Sequence, residues 1–297
     1  MTSDDPHRNK EIDKVTGVET TGMEWDGLKE LNNPLPRWWL IVFFVCIVFA
    51  VGYWFVFPAW PTIAGHTGGL WRWNEYGQLK QHQGEIAALR SKYEARFALA
   101  SLEDIQNDHE LYDYGRAGGA IAFKNNCAAC HGAGAQGGVG YPNLNDDDWV
   151  WGGTLQQIFA TIRYGAHDTS NGNTHQSQMP AWGADGQLKP EEVDQVSEYV
   201  QKLHDGDMAQ KSPAWEKGKE IFAANCASCH GANGEGAPEQ GAPRLNDNIW
   251  LYGGDLKSIK TSIFGGREGL MPAWDGKLDE STLKKLAIYA HSLGGGK

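Results

Sequence analysis

The chain has 297 residues, enough for two domains of about 100–150 residues each with length to spare. It carries 26 Lys and Arg against 37 Asp and Glu, a formal net charge of −11 with no basic stripe, which argues against a polyanionic partner such as nucleic acid. The 13 Trp and 38 Gly favour loops that pack closely around something flat or buried.

An uncharged apolar run at residues 38–57, WWLIVFFVCIVFAVGYWFVF, predicts a transmembrane helix. Twenty residues in a helix span about 30 Å, the thickness of the hydrocarbon core of a bilayer. Tryptophans lie near both ends of the run, where membrane interfaces are expected, and Pro58 follows it. A cleaved signal peptide is the alternative, but so long an apolar run after a leader of 37 residues is atypical of one.

Basic residues predict the orientation of this helix. Residues 1–37 carry five Lys and Arg, whereas the twenty positions after Trp60 carry only Arg72 and Lys80. The positive-inside rule therefore predicts a cytoplasmic segment at 1–37 and places 61–297 in the periplasm, outside a bacterial inner membrane. That outer part has 21 Lys and Arg against 29 Asp and Glu, so we expect an acidic surface.

Residues 58–113 form a predicted periplasmic connector. Its apolar residues recur at spacings of three and four, which predicts an amphipathic helix: Ile86, Leu89, Tyr93 and Phe97. The sequence leaves open whether this stripe packs on a partner subunit or on the domain that follows. Ser101 with Asp104 three residues later predicts the start of another helix with the spacing of a capping box.

Two nearly identical motifs, CAACH at 127–131 and CASCH at 226–230, carry the strongest chemical signal. Cys-x-x-Cys alone suits a periplasmic disulfide, a zinc site or a thioredoxin-like redox pair. A histidine directly after the second cysteine favours covalent c-type haem, because two sulfurs about one helical turn apart reach the two vinyl groups and the histidine reaches the iron. We predict two covalently bound c-type haems, one on Cys127, Cys130 and His131 and the other on Cys226, Cys229 and His230. Cys46, in the apolar run, is interpreted as a small apolar residue.

The sequence around the two motifs is duplicated. YPNLNDDDWVWGG (141–153) aligns with APRLNDNIWLYGG (242–254), and each copy continues with a short helical stretch, MPAW at 179–182 or 271–274, and an amphipathic helix. The duplication predicts a mainly α fold in which the transmembrane helix precedes two tandem class I cytochrome c-like domains, at 114–206 and 212–297. Nine additional residues lie in a polar loop of the first copy, AHDTSNGNTHQSQ (166–178), which predicts a surface excursion.

Met179 and Met271 occupy equivalent places, about fifty residues after the motif of their own copy. Soft thioether sulfur suits low-spin haem iron, so we predict them as the second axial ligands, with core packing as the alternative. His175, four residues before Met179, is a rival ligand for the first haem. Two protein ligands on each iron leave no site for a substrate, which favours electron transfer over catalysis at these haems.

Other repeated residues allow two interpretations each. Pro142 and Pro243 either present a carbonyl to the ring nitrogen of His131 or His230, or are ordinary turn prolines. The equivalent tryptophans either donate an indole N–H to a haem propionate or fill the core: Trp149 and Trp250.

The segment NNPLPRWWL (32–40), the apolar run ending GYWFVFPAW (52–60) and two Cys-x-x-Cys-His domains each closed by MPAW resemble the di-haem subunit, CcoP or FixP, of cbb3-type cytochrome c oxidases. The resemblance extends over nearly the whole chain. It implies a catalytic membrane subunit with haem b and copper, a mono-haem cytochrome subunit and a periplasmic cytochrome c donor as partners. The implied role is to pass electrons from that donor toward the oxygen-reducing site, so that the chain is a non-catalytic subunit of an enzyme complex.

Two other functions stay open at the level of sequence. One is a di-haem peroxidase-like enzyme, which needs an iron with an open coordination position. The other is a free membrane-anchored electron carrier of another respiratory complex. For any outer-sphere relay, the acidic exterior predicts a donor with a basic face and a rate that falls with ionic strength.

Overall fold

The computed structural model describes residues 10–205 and 212–294, and it confirms the mainly α fold class. The chain divides into two compact units, the first ending at Ala87 and the second beginning at Ala88.

The first unit contains two small antiparallel hairpins and one long apolar helix. β1 (Thr20–Trp25) pairs with β2 (Leu28–Leu31) through a turn in which Asp26 and Gly27 both have positive φ, as a tight two-residue hairpin turn requires. α1 (Arg37–Val56) confirms the helix expected at 38–57, and by length and composition it is a candidate membrane span with none of its side chains buried. A second hairpin follows, with strands β3 (Pro61–Thr62) and β4 (Gly65–His66).

Helix α2 (Glu75–Leu99) confirms the predicted connector helix. Of its apolar stripe, Ile86 and Leu89 are exposed, whereas Phe97 is completely buried in a core of the second unit. Helix α3 (Leu102–Asn107) begins after Ser101 with both bonds of the capping box, because the Ser101 hydroxyl accepts from the Asp104 N–H and the Asp104 carboxylate accepts from the Ser101 N–H.

The second unit holds both copies of the repeat, each with four helices at equivalent positions. The first copy contributes α4 (His109–Asn126), α5 (Ala128–His131), α6 (Leu155–Tyr164) and α7 (Pro190–Asp205). The second contributes α8 (Pro213–Asn225), α9 (Ala227–His230), α10 (Leu256–Gly265) and α11 (Glu280–His291). The predicted short helices and both predicted terminal amphipathic helices are confirmed.

The two copies exchange their C-terminal halves. α4 packs on α11, the last helix of the other copy, and α7 packs on α8. The first core therefore combines residues of both copies: Phe123, Leu155 and Ile158 with Leu283, Leu286 and Ile288. The second core does the same: Trp215, Phe222 and Ile259 with Val193, Val196 and Tyr199. We call α4–α6 with α11 the first lobe, and α8–α10 with α7 the second lobe.

Glycines let the exchanged helices approach closely. A Cβ on Gly119 of α4 would lie 2.1 Å from the Lys285 carbonyl oxygen of α11, and a Cβ on Gly218 of α8 would lie 2.1 Å from the Gln195 carbonyl oxygen of α7. Beside each crossing a tyrosine of one copy packs on a phenylalanine of the other, with ring centroids 5.3 Å apart for Tyr289 and Phe123. Each terminal helix therefore packs on the first helix of the other copy. The boundaries 114–206 and 212–297 stay predictions, and their ends at 206 and 297 lie outside the described residues.

The end of α2 is fixed to the first lobe by a charged network. The Glu94 carboxylate accepts hydrogen bonds from Lys285 at 2.7 Å, from Ser281 and from the Tyr114 hydroxyl. Lys284 donates to the carbonyl oxygens of Ala98 and Ala100 just beyond. Within the second unit, the end of the connector stripe thus packs on the repeat, which answers the question that the sequence left open for Phe97.

Candidate haem-binding sites

Each Cys-x-x-Cys-His motif forms a single helical turn, α5 or α9. In the first motif, the His131 N–H donates to the Cys127 carbonyl oxygen at 3.0 Å. The two cysteines and the histidine therefore lie within about one helical turn of one another, as haem attachment requires. Each turn ends at a glycine with positive φ, Gly132 or Gly231. The first cysteine of each motif is half-buried at the edge of a core and the second is exposed.

The first thiol of each motif has a raised pKa, unlike the thiol of a redox-active cysteine pair. All four motif cysteines are free. Burial, reinforced by the neighbouring thiol, raises the pKa of Cys127 and of Cys226 to about 11, whereas a redox-active cysteine needs a lowered pKa. Among the described residues no cluster of three or more His, Cys, Asp or Glu side chains suits a metal ion, which also disfavours the zinc interpretation.

Both motif histidines are held in the tautomer that suits an iron ligand. Nδ1 of His131 lies 3.0 Å from the Pro142 carbonyl oxygen, and Nδ1 of His230 lies 2.9 Å from the Pro243 carbonyl oxygen. Because a carbonyl oxygen only accepts, Nδ1 carries the proton and Nε2 keeps its lone pair. Burial lowers the pKa of His230 despite the bond to Pro243, which favours the neutral ring. The predicted role of the two prolines is confirmed.

The structure brings each methionine to the motif of the other copy. Met271 packs on the first core, on which Cys127 and Trp149 also pack. Met179 packs on the second core, on which Cys226 and Trp250 also pack. The C-terminal halves that carry the methionines are exchanged together with their helices, and the roles of Met179 and Met271 as iron ligands stay predictions.

Short backbone pairings hold the methionine segments in place. Met271 and Ala166 exchange two hydrogen bonds of 2.9 Å, and Met179 and Arg267 exchange bonds of 3.1 and 3.2 Å. Gly165 and Gly266, at the ends of α6 and α10, have positive φ and touch these pairings. A Cβ on either glycine would lie 2.4 or 2.5 Å from the carbonyl oxygen of the paired methionine. The sequence offers one signal for these two glycines, since each stands at the end of a predicted helical stretch, at the equivalent place of its own copy.

Trp149 provides a direct test of whether haem fits the first lobe. Its indole Nε1 is buried and has no hydrogen-bond partner among the described residues, an unfavourable state that a bound acceptor relieves. A haem propionate is such an acceptor, whereas Trp250 in the second lobe has a protein acceptor, the Asp247 carbonyl oxygen at 3.2 Å. Free cysteines, a fixed histidine and this indole together fit a c-type haem.

His175, the rival ligand, is engaged elsewhere. Its Nε2 lies 3.0 Å from the Thr161 hydroxyl, and its ring stacks on Trp151 with centroids 4.4 Å apart. Burial and, to a smaller extent, nearby His167 lower the pKa of His175. It is not among the described residues packed on either core, whereas Met271 packs on the first core.

The polar loop at 166–178 is not a simple surface excursion, and this expectation is wrong. Thr174 is buried, and the Asp168 carboxylate accepts from the Ala273 N–H at 2.7 Å, in the MPAW segment of the other copy. Its exposed residues lie around the tip and also near its end: Thr169, Ser170, Gly172, Asn173, Gln176 and Gln178. Its polar residues bind backbone groups of the second copy, a contact that composition alone does not reveal.

A candidate membrane span, two Cys-x-x-Cys-His turns and two fixed histidines define a membrane-associated c-type cytochrome. Residues 17–64 match the family model described as the N-terminal domain of cytochrome oxidase-cbb3, FixP. Residues 116–200 and 213–289 match the model described as cytochrome c oxidase, cbb3-type, subunit III. The chain belongs to the FixP/CcoP family of cbb3-type cytochrome c oxidase subunits.

Curated relatives match over nearly their full length. The chain is 49% identical over 289 residues to the cbb3-type cytochrome c oxidase subunit FixP of Bradyrhizobium sp. (strain ORS 278), covering 97% of this chain and 99% of the relative. It is 48% identical to FixP of Azorhizobium caulinodans, covering 96% of both chains, and 46% identical to CcoP of Azospirillum brasilense, covering 97% of this chain and 99% of the relative. The chain is therefore a haem c-binding electron-transfer subunit of a cbb3-type oxidase.

Proposed function

We propose that the chain relays electrons from a periplasmic cytochrome c donor, through two covalently bound c-type haems, toward the oxygen-reducing subunit with haem b and copper. One observation carries this proposal: each core brings together a Cys-x-x-Cys-His turn, a fixed histidine and a methionine. With both axial positions taken by the protein, neither iron has room for a substrate. A mono-haem cytochrome subunit completes the proposed set of partners.

Each proposed haem takes ligands from both copies of the repeat. The first would be attached to Cys127 and Cys130 and held by His131 and Met271. The second would be attached to Cys226 and Cys229 and held by His230 and Met179. When bound, haem iron supplies reversible one-electron transfer between its ferric and ferrous states. The Pro142 and Pro243 carbonyl oxygens orient the histidine rings, and the Trp149 indole donates to a propionate.

The membrane arrangement and the docking of the donor follow from charge. The five basic residues within 1–37 support a cytoplasmic N-terminus, with 58–113 and both lobes in the periplasm of the bacterial inner membrane. Residues 61–297 have a net charge of −8, counted from 21 basic and 29 acidic residues. A donor with a basic face is therefore attracted, and its encounter rate falls as salt screens the charges.

Purification of the full chain from its native membrane in mild detergent tests the proposal. We expect two c-type haems per chain by the pyridine haemochrome assay, copurified haem b and copper, and no carbon monoxide binding by the c-type haems. A Cys226→Ala/Cys229→Ala variant serves as the control and should keep one covalent haem. A single haem in the unaltered chain, or peroxide turnover by the c-type haems, would contradict the proposal.

A further inference from the structure

His167 has a conformation and contacts that haem attachment does not explain. It follows Ala166 in the loop after α6, and its φ of 57° lies in the left-handed region, which non-glycine residues rarely adopt. Such a conformation persists only where the surrounding structure holds it, and it is a reason to look for a specific role.

The imidazole of His167 joins two separate chain segments. Nδ1 lies 2.5 Å from the carbonyl oxygen of Gly269. Nε2 contacts the backbone of Ser177, through its carbonyl oxygen and through its N–H at 3.2 Å. Nδ1 and Nε2 thus each face a backbone carbonyl oxygen, that of Gly269 and that of Ser177, to which a ring N–H can donate.

The two segments are equivalent in the duplicated sequence. Ser177 stands two residues before Met179, and Gly269 stands two residues before Met271. One side chain of the first copy therefore holds the same backbone position ahead of both methionines. The second copy has no histidine in the equivalent loop, which is nine residues shorter, so this bridge exists once for the two lobes.

The His167 bridge adds to backbone hydrogen bonds that already connect the two methionine segments. Arg267 pairs with Met179, and four residues later Met271 pairs with Ala166, the neighbour of His167. The stretch from Arg267 to Met271 thus contacts both methionine segments.

We propose that His167 is a positioning residue that couples the two distal methionines, so that both iron–sulfur bonds depend on one side chain. This inference rests on the proposed function, in which Met179 and Met271 are axial ligands. The bridge holds the backbone ahead of each methionine, and thioether ligands bind iron weakly enough that their geometry has to be supplied by the protein. Loss of the bridge loosens both bonds together.

The test uses the full chain with both haems and the variant His167→Asn. Asparagine tolerates positive φ, so the backbone is preserved, while its shorter side chain does not span the two segments. We expect the sulfur-to-iron charge-transfer absorbance of the oxidised protein to fall by more than half. Loss of the methionine ligand at one haem alone would remove only the share of that haem. Both midpoint potentials should fall, and the reduced protein should bind carbon monoxide at both haems.

His175→Asn is the matched control, because His175 lies in the same loop but contacts Thr161 and Trp151 instead of the methionine segments. It should leave at least half of the absorbance and leave the second haem unchanged. His167→Gly, which also accepts positive φ, is a second variant with the same expected effect as His167→Asn.

The outcomes separate the coupling from the ligand assignment. If the unaltered protein lacks the charge-transfer band, methionine ligation itself fails, and the proposed function fails with it. If the band is present and both His167 variants retain it, or lose only the share of one haem, the coupling is overturned. Failure of both variants to take up haem, with normal His175→Asn, also contradicts the proposal, since His167 then supports folding rather than ligand geometry.

Discussion

Met271 and Ala166 exchange both of their backbone hydrogen bonds, although the two residues belong to different copies of the repeat. This pairing holds Met271, from the second copy, on the core that carries the first cysteine motif. The equivalent pairing of Met179 with Arg267 holds Met179, from the first copy, on the core that carries the second motif. Neither lobe is complete without the other copy. The two proposed haem sites are therefore built by one folding unit rather than by two independent domains.

The crossed ligation is tested in a chain that keeps only the first haem. In the Cys226→Ala/Cys229→Ala background, we expect Met271→Ala to abolish the sulfur-to-iron charge-transfer band, because Met271 packs on the same core as Cys127. Met179→Ala is the matched control and should retain the ligand of the remaining haem. The reverse result, loss of the band with Met179→Ala alone, restores ligation within each copy.

The close helix crossings predict an effect on stability. Gly119→Ala and Gly218→Ala each place a Cβ 2.1 Å from a carbonyl oxygen of the facing helix. We expect each to lower the free energy of unfolding by about 1–3 kcal/mol, the usual cost of overpacking. Urea unfolding of the full chain in detergent measures this. Gly84→Ala in α2 is the control, because nothing lies within 4 Å of its added Cβ, and it should be neutral or stabilising by up to about 1 kcal/mol.

Features with a local cause could be predicted from the sequence. The helical turn of Cys-x-x-Cys-His, the capping box at Ser101 and the terminal amphipathic helices depend on residues only a few positions apart. The contact of Pro142 with His131 was only one of two interpretations, because the proline follows the histidine by 11 residues in the first copy and by 13 in the second. Each of these predictions needs no knowledge of which copy packs on which.

The exchange of halves could not be read from the repeat, because both copies carry the same MPAW segment and equivalent terminal helices. Only seven residues, 206–212, separate α7 from α8, and so short a connection favours packing of consecutive helices on each other. This was the available signal for the exchange. The role of His167 had no such signal, since its partners are backbone groups about ten and one hundred residues away.

Burial of Phe97 predicts that the connector helix contributes to the stability of the first lobe. Phe97→Ala removes a fully buried ring from the first core, and we expect a loss of about 3–5 kcal/mol in the free energy of unfolding. Leu89→Ala on the same helix should change the stability by less than about 0.5 kcal/mol, because Leu89 is 79% exposed. Equal effects of the two substitutions contradict the packing of the helix end on the lobe.

The pKa of Glu94 predicts that the contact between the end of α2 and the first lobe contributes to stability in a pH-dependent way. Burial opposes its ionisation, but hydrogen bonds from Lys285, Ser281 and Tyr114 outweigh burial and lower the pKa of Glu94 to about 2. Because the folded pKa lies below the ordinary value of 4.5, the ionised carboxylate stabilises the fold above about pH 4.5. This stabilisation is lost as the pH falls from about 4.5 to about 2.

Glu94→Gln should therefore be less stable than the unaltered protein at pH 7, by on the order of 1 kcal/mol given the partial exposure of the carboxylate. The difference should shrink steadily below about pH 4.5. Urea unfolding of the detergent-solubilised chain between about pH 3 and 7 measures both, in the range where acid carboxylates titrate. Glu103→Gln, at an exposed position of α3, controls for the loss of one negative charge. A stability difference for Glu94→Gln that stays constant over this range, or that grows as the pH falls, means that the carboxylate is not held ionised by Lys285.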